Sequence, residues 1–502
     1  LAKKYLIFLQ KLLTFEYSKV LNKKWLPKFM KGFLRYFFSK DVFLILLLTG
    51  LISVLVANIN LNLDALNPLE KMFGDFDLTD IYFSQVRGKK NKEQKASISD
   101  EESQTSQKLK EIANTITIVN IGGAEGGRKR LTELLKIINE FKPRCVGIDA
   151  FYKSYKTDSI MKPINDELAE VLSQTKNLVM AAEISFKAAT REKIINTNDD
   201  DYKPAFDTLI TSHPNFMKNA QPALVNLITE ATRDAMQRQD LAGGLATCRT
   251  FPAREVLNGK EYLAFGVKLA QIYAPEKASK FLERKKEVEY INYIGNYDKF
   301  SYVNFGELFE MYDAYQSGDS SLASNFNLLF KDKIVLLGFT GIEDINKVTS
   351  DEDRFYTPLN PNYVGKAERD MYGIIIHANI IAMILLEDYI DVAPDWLDYF
   401  ISAFIAYLVT AFFVFLHAKL DFWYDGISIL VQFLLSFLLV LIIIEVFDLL
   451  KLRVDWSLGF LAIVFIPNFV EVYYGVVAKI YDYRQNLRRN RRKQVATLGV
   501  DE

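Results

Sequence analysis

Carboxylates that close apolar runs are the groups in this sequence best placed to do chemistry. Asp149 closes the run Cys145-Val146-Gly147-Ile148, Glu183 stands at the end of the run 178–184, and Asp344 follows the run 333–338. If those runs are strands of one parallel sheet, the three side chains gather outside its carboxyl ends, where open α/β sheets bind ligands. A glycine-rich stretch, Gly122, Gly123, Gly126 and Gly127, follows another such run (115–121) and precedes a helical pattern, with Arg128, Lys129 and Arg130 beside it. Free amides at such a helix start can hold an anion. The spacing is not G-x-G-x-x-G, because Ala124 stands where a glycine is required, and no Gly-Lys-Ser/Thr follows as in a phosphate loop. The competing readings are a tight turn that needs positive φ and, for the carboxylates, helix capping and loop hydrogen bonding.

Other chemistries find little support. No nucleophile stands with a base in a defensible pair, so no catalytic residue is expected and the chain is not expected to be an enzyme. The three histidines are scattered and the two cysteines, Cys145 and Cys248, show no zinc spacing, so neither metal nor cofactor is expected. One bridge between the two cysteines stays open. His377 lies in an apolar helical run beside Asn379. A satisfied structural histidine is the ordinary reading there, and sensing of pH or metal the sharper one. A net charge of −1 gives no field that would attract nucleic acid.

These residues need a scaffold of strands and helices in alternation. Residues 115–121, 145–148, 178–184 and 333–338 read as strands. Residues 131–141 carry Leu131, Leu134, Leu135 and Ile138 at helical spacing, and 374–385 read as an apolar helix. Strand–helix–strand order predicts parallel pairing through crossovers, hence an α/β class with a mainly parallel sheet flanked by helices. Residues 88–110, rich in Lys, Glu, Ser and Gln, read as a mobile insertion, and 196–201 are similarly polar.

That scaffold is bracketed by membrane signals. Four transmembrane helices are predicted, at 41–60, 395–417, 426–447 and 456–478, with aromatic residues at their ends. Lysines and arginines crowd the lead 1–40 and the tail 479–502, the latter with Arg484, Arg488, Arg489, Arg491, Arg492 and Lys493. Both ends are therefore expected in the cytoplasm and the region 61–394 outside it, periplasmic in a double-membraned bacterium. The aromatic, basic lead suits a helix on an anionic membrane surface, or one packed on a partner. Glu445 and Glu471 lie near span ends and are expected to snorkel, and Pro467 with Asn468 is expected to kink the last span.

Four blocks taken in order resemble a known family. They are Ile118-Val119-Asn120-Ile121 with Lys142-Pro143-Arg144-Cys145-Val146-Gly147-Ile148-Asp149; Ile291-Asn292-Tyr293-Ile294-Gly295; Lys333-Ile334-Val335-Leu336-Leu337-Gly338 with Thr340, Gly341, Thr357 and Pro358; and Tyr372-Gly373 through His377, Ala378 and Asn379. Together with one span before and three after, they resemble the second type of CHASE domain, the cyclases/histidine kinases associated sensory extracellular family. The resemblance covers roughly 75–386 plus the spans. It implies an extracytoplasmic sensor, with Thr340, Gly341, Thr357, Pro358, His377 and Asn379 as structural motif residues and dimers as a common state. The chain departs from the family after the first strand, where acidic residues and a Trp-Pro-Trp stretch give way to the glycine loop. About 25 residues follow the last span, fewer than an enzyme domain needs.

Two functions follow as expectations. One is a membrane-anchored sensor that passes a signal to a separate protein, a cytoplasmic effector. The other is a structural or docking subunit of a larger envelope assembly. Both require membrane lipid and a protein partner. A channel or transporter is disfavoured, since no inverted repeat or charged pathway is seen.

Overall fold

The computed structural model describes residues 36–37, 39–57, 77–87, 100–122, 127–185, 187, 207–227, 247–341, 353–360, 368–420, 423–480, 483 and 487. The chain divides into two compact units, Met72–Ile390 and Leu1–Lys71 with Asp391–Glu502.

The α/β unit is built on short apolar runs that become strands. They are β1 (Ile116–Asn120), β2 (Cys145–Asp149), β3 (Leu178–Ser185), β4 (Thr208–Thr211) and β5 (Gln221–Leu224). Two small ladders follow, β6 (Thr250–Pro252) with β9 (Val288–Tyr290), and β7 (Arg254–Leu257) with β8 (Lys260–Leu263). Then come β10 (Ser301–Asn304), β11 (Ile334–Gly338) and the two-residue strands β12 (Arg354–Phe355) and β13 (Met371–Tyr372). The main sheet runs β10-β1-β11-β2-β3 in parallel. The far edge of β3 is shared, its first half with parallel β5 and its second with antiparallel β4. Strands β1 and β11 are buried throughout, which is why they read as continuous apolar runs without alternation.

Helices cover both faces. The helix of the first unit that precedes this domain is α1 (Lys40–Ala57). In the α/β unit they are α2 (Leu78–Ile81), α3 (Asp100–Ala113), α4 (Gly127–Glu140), α5 (Met161–Gln174), α6 (Phe265–Tyr273), α7 (Pro275–Leu282), α8 (Phe305–Gln316), α9 (Leu322–Phe330) and α10 (Gly373–Leu386). On one face Leu131, Leu134 and Ile138 of α4, Leu168 and Leu172 of α5, Leu308 of α8 and Phe326 and Phe330 of α9 close over Val119, Val146, Ile148, Val335 and Leu337. On the other face α6 and α10 come so close that two strand positions require glycine. A Cβ on Gly147 would stand 2.6 Å from Leu269 of α6, and one on Gly338 2.8 Å from Ile374 of α10. Helix α10 is apolar all round because it is buried all round, from Gly373 to Leu385. Its 14 residues span about 21 Å, short of a bilayer's hydrocarbon core.

The expected mobile insertion at 88–110 is corrected from Asp100 onward, where α3 begins. Leu109, Ile112 and Ala113 turn inward at helical spacing while Gln107, Lys108, Lys110 and Glu111 face out, and the helix seats against α10. Its polar outer face hides that seam in a reading by composition. Residues 88–99 and 196–201 lie outside the described residues.

The helical unit holds α1, α11 (Asp395–Leu420), α12 (Tyr424–Leu450) and α13 (Ser457–Val472), the last continued by a wide π-type turn over Tyr473–Ala478. Among the described residues three helices, α11 to α13, are long and apolar enough to cross a membrane, against four expected. The fourth expected span, at 41–60, is α1, an 18-residue helix that opens on the charged pair Lys40 and Asp41 and buries Val42 and Ile45. At one end of this unit the Asp41 carboxylate accepts hydrogen bonds from Tyr473 (3.0 Å) and Tyr474 (2.8 Å). His417 stacks on Tyr474 at 4.3 Å, and the Tyr424 hydroxyl donates to the Pro467 carbonyl at 3.0 Å. The start of α1 thus meets the ends of α11 and α13. A two-residue ladder of β14 (Asp391–Val392) and β15 (Leu452–Arg453) lies in the same unit. Residues 1–35 and the basic residues Arg484, Arg488, Arg489, Arg491, Arg492 and Lys493 lie outside the described residues.

Candidate functional site

One register row crosses the carboxyl end of the sheet. It runs Asn304 of β10, Asn120 of β1, Gly338 of β11 and Asp149 of β2. In-register residues of parallel strands share a face, and here it is the face of α6 and α10.

The first half of the row is a closed polar network. Asn120, 2 % exposed, donates to the Asn304 side-chain carbonyl (2.8 Å) and to the Gly341 carbonyl (3.0 Å). Its own carbonyl accepts the amides of Gly122 (3.0 Å) and Thr340 (3.1 Å). The Tyr302 hydroxyl donates to Asn304 at 3.0 Å and lies 3.0 Å from Thr340 Oγ1. Asn120 therefore uses both donors and both acceptor positions, as a buried amide must if it is not to cost stability. Gly122 is held here by geometry. Its φ is +66°, and a Cβ would stand 2.6 Å from both Arg130 and Phe305.

The second half is open. Arg354 and Tyr372 form a cross-strand pair of β12 and β13, with the guanidinium over the tyrosine ring at 5.2 Å. Arg354 Nε and the Tyr372 hydroxyl are buried and have no hydrogen-bond partner among the described residues. Asp353 has a φ of +57° and its carbonyl accepts the Gly373 amide at 3.0 Å. Its carboxylate oxygen lies 3.0 Å from where a Gly373 Cβ would be, at the N-terminal end of α10, which favours negative charge. Burial first, and then the neighbouring charge of Asp353, pushes Asp149 well above the ordinary carboxylate range. No hydrogen bond reaches the Asp149 side chain among the described residues.

Behind this edge runs a chain of side-chain amides and a carboxylate. Asp370 accepts from the Thr357 amide (2.7 Å) and hydroxyl (2.5 Å). Burial pushes it up to about 6. Asn296 donates to the Asp370 carbonyl at 3.0 Å. Asn379, fully buried, grips the next residues back, accepting from Ile294 (2.8 Å) and donating to the Gly295 carbonyl (2.9 Å). Asn292 then accepts from Arg87 at 2.5 Å and donates to the Asp388 carbonyl at 3.2 Å. One side chain ties the incoming segment of the α/β unit to its outgoing segment. Arg249 pairs with buried Asp80 of the incoming segment at 2.6 Å, and Arg284, paired with Glu289 at 2.8 Å, donates to the Ile390 carbonyl of the outgoing segment at 3.5 Å.

The chain belongs to the CHASE2 domain family. The match covers residues 59–417, which includes the whole α/β unit. No curated protein and no solved structure matches the chain.

Within the CHASE2 domain the structure places the expected residues unevenly. Asp149 lies in the row, and Gly122 at its closed end. Glu183 does not end its strand, a correction to the reading from the apolar run. It sits inside β3 opposite Ile210, because pairing with β4 extends the strand two residues further, and no local pattern shows that pairing. Gly127 is the first residue of α4, while Gly123, Gly126 and Asp344 lie outside the described residues. Two of the three positive charges by the loop are engaged in the fold, and Lys129 is exposed. Arg128 donates to Asn165 (2.5 Å) and to the Ser154 carbonyl (2.7 Å), and Arg130 to the Ile121 carbonyl (2.8 Å) while it covers Phe305 at 4.2 Å. Thr340, Gly341, Thr357 and Asn379 serve the networks just described, and Pro358 is buried beside Thr357. His377 is buried, hydrogen-bonds the Val225 backbone, and is pushed by burial down to about 4, so it is neutral near neutral pH. Cys145 and Cys248 are free and buried, each thiol pushed up to about 12 by desolvation.

Sequence reasoning missed Asp353, Arg354, Asp370 and Tyr372 as site residues. Only Tyr372 stood in a quoted block. Asp353 and Arg354 sit in a polar stretch like any other, and only the β12–β13 pairing brings them to the row.

Proposed function

We propose that the chain is a membrane-anchored sensor whose α/β unit binds a ligand at the carboxyl edge of its sheet and passes the change to a separate protein. The observation that carries this is the chain of polar side chains from the edge to the two ends of the α/β unit. Thr357, Asp370, Asn296, Asn379 and Asn292 link the open half of the row to Arg87 and Asp388, near both ends of the unit. Packed networks with discrete arrangements are what couples distant sites.

In this reading α1 is a fourth span, and the α/β unit lies outside the cytoplasmic membrane of a bacterium with both termini inside. The bonds from Tyr473 and Tyr474 to Asp41 support it, since they hold the start of α1 and the end of the last helix at the same end of the helical unit. The basic residues Arg484 to Lys493 then face anionic lipid or the partner.

Two measurements test the proposal. Asn292→Ala should raise backbone hydrogen exchange in residues 82–87 and 386–390 by about tenfold or more while β1 and β11 stay protected; unchanged exchange would remove the link. Purification of the full chain from its own membrane in gentle detergent, with mass spectrometry of what accompanies it, should find a cytoplasmic signalling enzyme. A stoichiometric set of structural envelope proteins would overturn the sensor in favour of a docking subunit.

A further inference from the structure

Buried hydrogen-bonding groups are almost always paired, and each exception asks for a reason. The open half of the row holds two of the five such side-chain atoms among the described residues. The Tyr372 hydroxyl, on a residue 2 % exposed, has no partner, nor has Arg354 Nε, among the described residues. The Asp149 side chain ends the same row without a hydrogen bond among the described residues. These groups carry both signs of charge at adjoining positions, since Asp353 and Arg354 are consecutive and Tyr372 is Arg354's cross-strand partner.

We propose that this cradle binds a small amphoteric molecule of the amino-acid class, its carboxylate held by Arg354 and the Tyr372 hydroxyl and its ammonium group by Asp149 and Asp353. Stacking on Tyr372 covers the face of the guanidinium and leaves its edge, and that planar fork matches a carboxylate. The ammonium group answers the carboxyl pair, where Asp353 is already settled on the start of α10 and Asp149 lacks a counter-charge. Because Asp353 and Arg354 are neighbours in the chain, the two charges of the ligand must stand only a few bonds apart. The side chains of α10 and Phe339, which meets the Tyr372 ring edge-on at 5.8 Å, form an apolar backing. Burial raises the proton affinity of Asp149 in the free protein, and an ammonium group beside it favours the carboxylate, so uptake is coupled to loss of that proton and tightens as pH rises.

The ligand class rests on the sensor reading above and is tested apart from it. The full chain in detergent is melted with each common amino acid, beside its N-acetyl form and its carboxamide. At least one free amino acid should raise Tm, with both blocked forms about tenfold weaker or more. Arg354→Gln and Tyr372→Phe should each weaken that binding about tenfold or more. Tyr372→Phe should leave the ligand-free Tm unchanged or higher, because it removes no hydrogen bond, and it serves as the folded control if Arg354→Gln is unstable. If no amino acid binds, the proposal fails. If a blocked form binds as well as the free one, and Tyr372→Phe weakens both, the amino-acid class fails while the edge remains the sensor's site. Binding indifferent to Tyr372→Phe places the site elsewhere and overturns the cradle.

Discussion

The two halves of one register row are built to opposite standards. On the side of β10, β1 and β11, every polar atom of Asn120 is engaged, and Tyr302, Asn304 and Thr340 close the network around it. On the side of β2, β12 and β13, a tyrosine hydroxyl and an arginine nitrogen stay buried without partners, and two carboxyl groups share a neighbourhood. Asn120 and Asp149 sit on the same face of the same sheet, while Arg354 and Tyr372 belong to a separate two-stranded ladder. A closed network rigidifies the fold. An open one destabilises it, and such a cost persists where function needs the groups.

That contrast can be broken at either end. The largest effect belongs to Asn120→Ala, which strands the amides of Gly122 and Thr340 and the carbonyl of Gly341. It should cost about 3 kcal/mol in urea unfolding, and a loss below about 1 kcal/mol would mean that the closed half is not structural. Gly122→Ala comes next, at about 2 kcal/mol, since it combines positive φ with overlap on Arg130 and Phe305. The smallest effect has the opposite sign. The folded state raises the proton affinity of Asp149 above its ordinary 3.8, so its contribution is fully present below that pH and is lost as pH rises through the folded value. Asp149→Asn should therefore match the parent chain in acid and gain a little stability at neutral pH. Urea unfolding at both pH values checks this, and a loss at neutral pH would put Asp149 with the closed half.

Much of the scaffold was legible because its signals are local. The runs expected at 115–121, 145–148 and 333–338 are β1, β2 and β11 to within a residue at either end, and the leucine spacing of 131–138 is the buried stripe of α4. Helix α3 was missed because its polar outer face outweighs the inward Leu109, Ile112 and Ala113 in composition. Glu183 was misplaced because antiparallel pairing to β4 is a long-range event. At the site, Asp149 was legible as a carboxylate that closes a strand. Arg354 and Asp353 were not, since a two-residue strand has no periodicity to read.

What the sequence determined by itself was the class of most segments: which runs are buried in a parallel sheet, that the three helices at 395–420, 424–450 and 457–476 are apolar enough for a membrane, and which family the ordered blocks belong to. These follow from hydrophobic burial and local backbone preference, which act over a few residues at a time. What only the tertiary structure decided was partnership. Asn120 is satisfied because Asn304, Thr340 and Gly341 arrive from segments some 180 to 220 residues away in the chain, and the Tyr372 hydroxyl is left without a partner among the described residues. Hydrogen bonding is short-ranged and directional, so whether a buried polar group is closed or open depends on which side chains the fold brings within about 3 Å, and no local pattern in the chain records that.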